Sequence, residues 1–166
     1  VFDNTAHTAT LLRQPLVDAC RELPIVELAE IVVDEVEVIG AQSVDLTEAC
    51  DVLAAWDGRF DLDSAGAILW RETMAQFPDD AFEQAGVLFS EPFDPLRPAT
   101  TPNGFTSDPA PLLGALGRAT QILTPADFDI ASTLGTAQFT VRSGARVPLH
   151  GGTGREGVTN VVQWSG

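Results

Sequence analysis

An α+β fold is predicted for this chain, mainly helical over its first two-thirds, with short antiparallel strands towards the C-terminal end. Two patterns predict it. Apolar residues recur at helical spacing in four stretches before residue 124, and three short apolar runs separated by glycines follow residue 136. A third observation concerns foldedness. The chain is 45% hydrophobic and 20% charged, a globular balance, and its 166 residues suffice to bury one core. A single domain over residues 1–166 is therefore expected.

Residues 5–23, TAHTATLLRQPLVDACREL, place Leu12, Leu16, Ala19 and Leu23 on one helical face. Pro15 lacks an amide hydrogen and is expected to kink that helix or split it. Residues 25–39, IVELAEIVVDEVEVI, mix β-branched residues with acids, and the alternation in VVDEVEVI predicts a strand or hairpin. Asp45 with Glu48 resembles a capping box opening a helix that runs through LTEACDVLAAW to Gly58. A further helix is expected from about Ser64 to Phe77, stopped at Pro78.

Residues 89–111 form a proline-rich arm, with prolines at 92, 95, 98, 102, 109 and 111. A connection of that length inside a compact domain is usually functional or packs across a larger body. Asp108 and Pro109 read as N-cap and first turn of a helix reaching about Leu123. AQFTV, ARVPLH and VTNVVQW are the strand candidates that follow. The chain begins on Val1 and stops on VVQWSG, and both ends read as those of an interior piece of something longer.

The charge is lopsided. Residues 1–97 hold 20 acids and 5 arginines, residues 98–166 hold 4 acids and 4 arginines, and lysine is absent. Without a basic patch to neutralise phosphates, nucleic-acid binding is excluded as an expectation, and an anionic membrane surface would repel the chain. No apolar run approaches the roughly 20 residues of a membrane span. Solubility is the plain account of the acidity.

Four motifs come close to a known chemistry. DLDSAGAILWRE, Asp61–Glu72, has acids at its first, third and twelfth positions and glycine at its sixth, as in a calcium-binding EF-hand loop. Its fifth position is Ala65, which removes a ligand from a cation that needs six to eight oxygens, and no second loop exists to pair with it. The competing reading makes the same residues a helix start, with Asp63 or Ser64 as the cap and Gly66 allowing close packing. GTGREGVT, residues 152–159, has the glycines and final threonine of a phosphate-binding loop, but Val158 stands at the lysine position and a strand is expected to follow. Cys20 and His150 could form a nucleophilic pair only if the fold brought them together. Cys20 and Cys50, on separate predicted helices, are open to one disulfide or to two buried thiols, and His7 and His150 lack metal-ligand spacing. No cofactor or metal is expected.

Three stretches together carry a resemblance. ACDVLAAWDGRFDLDSAGAILWRE, the arm EPFDPLRPATTPNG, and RSGARVPLHGGTGREGVTN occur in this order. The chain resembles the penicillin amidase family over nearly its whole length, in the branch of acyl-homoserine-lactone and aculeacin-type acylases. The resemblance implies an N-terminal nucleophile hydrolase with an αββα core, matured by cleavage into two subunits. In such enzymes a serine at the new N-terminus attacks an amide, its own amine serves as base, and donors including an asparagine hold the oxyanion. No segment here matches the processing site with its nucleophile, and Asn4 and Asn160 stand in the wrong contexts for the oxyanion role. No catalytic, cofactor or metal residue is carried over. The family also uses the DLDSAGAILWRE segment as a helix start.

The resemblance therefore implies a scaffold piece of the large subunit, inactive alone, whose partners are the small subunit and the rest of the large one. It further implies an exported, oxidising location, under which Cys20 and Cys50 are expected to pair. Alone, the chain is expected to self-associate through the edge of VTNVVQW. The rival from another class is a stand-alone acidic binding module that uses the proline arm as its contact surface.

Overall fold

The computed structural model describes residues 4–29, 31–33, 36–39, 41–126, 128–154 and 157–158. The first helix, α1, runs from His7 to Glu22 and buries Ala9, Leu12, Leu16, Val17 and Cys20. Pro15 sits inside it without splitting it. The missing amide costs one hydrogen bond, while Leu12 and Leu16 on either side of the proline are both fully buried, and that burial offsets the loss. Leu23 falls outside the helix and is 55% exposed, so it is not part of the core face.

Next comes an antiparallel nest. Strands β1 (Ile25–Leu28), β2 (Ile31–Val33), β3 (Val36–Ile39) and β4 (Gln42–Asp45) pair as β1 with β4 and β2 with β3. Residues 25–39, expected to form a strand or hairpin, hold three of these strands, and the pairing reaches Asp45. The simple order of helices first and strands last does not hold, because strands also occupy this early region and the arm. Within the described residues each sheet has only two strands, and the fold is mixed α+β.

Helix α2 spans Thr47–Ala55. Its entry is not the expected capping box. Asp45 Oδ1 instead accepts the Thr47 N–H at 2.9 Å and the Thr47 hydroxyl at 2.6 Å, an Asx turn placed just ahead of the N-cap Leu46. Helix α3 spans Ala67–Ala75 and starts later than expected. Neither Asp63 nor Ser64 caps it: the N-cap is Gly66, and Ser64 donates its hydroxyl to Asp57 Oδ1 at 3.2 Å.

Gly66 holds a φ of 100°, and a Cβ there would lie 2.8 Å from the Trp56 Cβ. The close approach lets α3 close over the aromatic centre of the core. Trp56 meets Phe60 edge-on at 5.8 Å and Trp70 at 5.7 Å between ring centroids. The indole N–H groups are satisfied, Trp56 donating to the Arg59 carbonyl at 2.9 Å and Trp70 to the Thr8 hydroxyl at 3.1 Å. The WDGRFDLDSAGAILW stretch is therefore the hub on which α1, α2 and α3 meet.

The arm is braced rather than loose. Strands β5 (Phe89–Glu91) and β6 (Asn103–Phe105) pair at its base. Beyond them Asp94 Oδ1 accepts the Leu96 N–H at 2.8 Å, and Arg97 bridges Glu91 at 2.7 Å and Asp94 at 3.0 Å. Leu96 stands at the tip, 89% exposed.

Helix α4 (Ala110–Leu123) ends where the sequence places it, and Asp108 Oδ1 accepts the Ala110 N–H at 3.1 Å just ahead of the N-cap Pro109. It packs against α3 and β1. The short helix α5 (Leu134–Ala137) leads into β7 (Phe139–Arg142) and β8 (Ala145–Pro148), an antiparallel hairpin. Of VTNVVQW only Val158 is described, and it is buried; the strand expected there lies otherwise outside the described residues.

Candidate functional site

Two distant parts of the sequence converge on the turn that follows α2. Asn4 accepts the Phe60 N–H on its backbone carbonyl at 2.9 Å, Ala6 donates to the Gly58 carbonyl at 2.8 Å, and Thr5 bridges Arg59 antiparallel between them. That short pairing carries the Asn4 side chain, 3% exposed, to Asp61. Its Nδ2 donates to Asp61 Oδ1 at 2.6 Å and lies 3.1 Å from His150 Nδ1. Arg59 Nε donates to Asp61 Oδ2 at 2.8 Å from the other side.

The loop bearing His150 is held from beneath by Gln138, only 1% exposed. Gln138 Nε2 donates to the carbonyls of Leu149 at 2.9 Å and Gly151 at 2.8 Å, while its Oε1 accepts from Arg71 Nη1 at 3.1 Å. Leu149 N–H returns to the Gln138 carbonyl at 2.9 Å, and Gly151 N–H reaches the Phe60 carbonyl at 2.8 Å. The backbone on both sides of His150 is thus fixed to Gln138 at the end of α5, itself tied to α3 through Arg71, and to the hub.

The electrostatics follow from these bonds. Hydrogen bonding from Asn4, joined by the Arg59 guanidinium, holds the Asp61 carboxyl below its ordinary value despite some opposing desolvation. Asn4 Nδ2 thus lies between the Asp61 carboxylate and His150 Nδ1. Asn4 Oδ1 is buried with no hydrogen-bond partner. The junction is a set of oriented polar groups that ties three segments together. As it stands it is a clasp.

The residues singled out in the sequence separate here. Asp61 is committed to Asn4 and Arg59, Glu72 to Arg71 at 3.2 Å, and Asp63 is exposed, so the acids of the calcium-like loop do not converge. Among the described residues no group of three or more histidine, cysteine or acidic side chains could hold a metal. Cys20 is joined to Cys50 in a disulfide, with Cα atoms 6.0 Å apart, so the Cys20–His150 nucleophilic pair does not exist. In the glycine-rich segment Gly157 has a φ of 71° and donates its N–H to the Gly154 carbonyl at 3.1 Å, and its Cα packs against His7. Gly157 thus sits against the start of α1. Arg155, Glu156, Thr159 and Asn160 lie outside the described residues.

An open groove of about 720 Å³ runs along α2, lined by Asp45, Thr47, Glu48, Asp51 and Ala65. A neighbouring one of about 520 Å³ shares Asp45 and Glu48. Both are acidic and neither reaches the His150 junction through its lining. Sequence reasoning had set Asn4 aside and passed over Gln138. A buried glutamine that clamps a loop leaves no periodic or motif signal, and a histidine beside glycines reads as an ordinary loop residue.

The penicillin amidase family model matches residues 1–165 of this chain. Aculeacin-A acylase of Actinoplanes utahensis is 35% identical over 164 residues, covering 98% of this chain and 18% of that protein. The acyl-homoserine lactone acylase PvdQ of Pseudomonas savastanoi pv. phaseolicola is 32% identical over 130 residues, 75% of this chain and 16% of that protein. The corresponding acylase of Pseudomonas fluorescens is 27% identical over 122 residues. The chain thus spans less than a fifth of the length of these curated relatives.

Proposed function

We propose, from the premise that this chain belongs to the penicillin amidase family, that it is scaffold of the large subunit of an acylase hydrolysing the amide bonds of acylated small molecules. The observation that carries the reading is the unbroken family match over residues 1–165, together with 35% identity to aculeacin-A acylase across nearly the whole chain.

In this reading the described helices and two-stranded sheets are part of an αββα N-terminal nucleophile hydrolase. The remainder of the polypeptide supplies the nucleophile, its amine base and the oxyanion donors, and no residue of this chain is given a catalytic role. What this chain contributes is rigidity. The Trp56–Phe60–Trp70 hub and the Asn4–Asp61–His150 clasp fix the relative placement of α1, α2, α3 and the β7–β8 hairpin. Export to an oxidising compartment is supported by the Cys20–Cys50 disulfide. The small subunit and the rest of the large subunit are the partners, and the braced arm with Leu96 at its tip is a surface suited to lie against them.

The test compares two polypeptides on a panel containing an acyl-homoserine lactone, an acylated peptide and a penicillin. The full gene product that carries this sequence hydrolyses at least one of them, and the 166-residue chain hydrolyses none. Hydrolysis by the 166-residue chain alone overturns the scaffold assignment, and a full gene product inert on every member overturns the acylase assignment.

A further inference from the structure

The β7–β8 hairpin is exposed along nearly its whole length, with Val141 at 63% and Val147 at 40%. A two-stranded ribbon with both faces in water is marginal by itself and needs a third strand or a covering layer. Its two outer edges are not equivalent. Leu149 N–H bonds the Gln138 carbonyl one step beyond the Phe139–Pro148 pair, while Gln138 N–H turns back to Leu134, and that single bond sets the phase of the ladder. Alternation along an antiparallel ladder then makes Thr140–Val147 and Arg142–Ala145 the bonded pairs. The tight turn at Ser143, φ 52°, and Gly144, φ 80°, closes the last of them.

The backbone groups of Phe139 and Val141 on one strand, and of Arg146 and Pro148 on the other, therefore point outward. Pro148 has no N–H, which blunts the outer edge of β8. The outer edge of β7 keeps every donor and acceptor, and among the described residues nothing pairs with it. An open edge of this kind receives an added strand.

Charge selects the occupant. No acid lies between Asp129 and Glu156, while the hairpin carries Arg142 and Arg146, the latter with its guanidinium 4.1 Å over the Phe139 ring. A second copy of the same hairpin would bring two more arginines and no carboxylate. We propose that the outer edge of β7 receives an extended, carboxylate-bearing strand from the remainder of the acylase polypeptide. The inference rests on the acylase reading, whose relatives are more than five times the length of this chain's match to them.

Residue-resolved amide hydrogen exchange on the full gene product and on the 166-residue chain tests it. The Val141 amide slows on the order of a hundredfold in the full polypeptide, because it is released only when the sheet opens. The Thr140 amide, bonded within the hairpin, is protected in both, and the Arg146 amide on the blunted edge stays fast in both. Equal exchange of Val141 in the two polypeptides overturns the proposal, and so does equal slowing of Arg146, which would mean simple covering. Protection of Val141 that rises with concentration of the 166-residue chain overturns it in favour of a second copy. A proline at position 141 replaces an exposed valine and removes an outward N–H, with no hydrogen bond of the hairpin lost. Val141→Pro accordingly lowers Tm in the full polypeptide and leaves that of the 166-residue chain nearly unchanged; an equal loss in both contradicts the assignment. Acyl hydrolysis is scored on the same preparation. Hydrolysis without protection defeats this inference alone, while protection without hydrolysis retires the acylase reading and leaves the paired edge standing.

Discussion

Reducing the Cys20–Cys50 bond should cost this chain more than any single surface change. The two cysteines are 30 residues apart, and the segment they close contains the whole β1–β4 nest and the start of α2. Both sulfur-bearing residues are buried, at 0% and 1% exposure, so reduction leaves their packing largely in place and acts on the unfolded chain. Releasing a loop of that length returns about 3.6 kcal/mol of conformational entropy to the unfolded state on the chain-entropy account. With a urea slope of about 2 kcal/mol/M, the unfolding midpoint falls by about 1.8 M. The slope should also steepen, because an uncrosslinked unfolded chain exposes more surface. The assay is urea unfolding followed by tryptophan fluorescence, with and without reductant, on protein made in an oxidising compartment. A midpoint shift below about 0.5 M would refute the entropic argument. Two reactive thiols in unreduced, denatured protein would refute the bond itself.

Three further outcomes follow from the hub and its neighbours. Gly66→Ala should destabilise by about 2–5 kcal/mol, from a left-handed backbone plus a Cβ pressed on Trp56, whereas Gly86→Ala, φ 80° in open space, should cost only about 1 kcal/mol; equal urea midpoints for the two would refute the packing argument. Asp61 titrates below its ordinary value of 3.8 when folded, so its contribution is present above that pH and is lost as pH falls through the lower folded value. The stability gap between the chain and Asp61→Asn should therefore narrow in acid, and unfolding midpoints measured down to about pH 2 that keep a constant gap would contradict the assignment. Excess calcium should leave Tm unchanged, and a calcium-dependent rise abolished by Asp61→Ala would restore the EF-hand reading of Asp61–Glu72.

Helix periodicity was legible where one face is buried throughout. Leu12 and Leu16 announced α1, and Leu112, Leu113 and Leu116 anchored α4 within a residue of its expected ends. Capping was harder to read. At Asp45 the side chain turned to Thr47, one residue earlier than a capping box, and α3 took Gly66 as its start because Trp56 crowds that position. Of the two outcomes expected at Pro15, the split does not occur, because the local cost is set against burial that comes from α2 and other elements distant in sequence. The early strands were only partly visible, since a nest that pairs Ile25 with Asp45 depends on contacts 20 residues apart. The clasp could not have been read at all: Asn4 and His150 are separated by 146 positions, and only the folded hub brings them to Asp61. The family resemblance was legible for a different reason. It rests on three stretches in a fixed order, and in the first and third of them Trp56, Gly58, Gly151 and Gly152 are buried.

Membership of an acylase polypeptide is read out by acid release from an N-acyl amide. The full gene product carrying the sequence, incubated with the panel of acyl-homoserine lactone, acylated peptide and penicillin, should liberate free carboxylic acid and the corresponding amine in equal amounts from at least one substrate. No acid released from any of them, by a gene product shown by its cooperative unfolding to be folded, would contradict that membership.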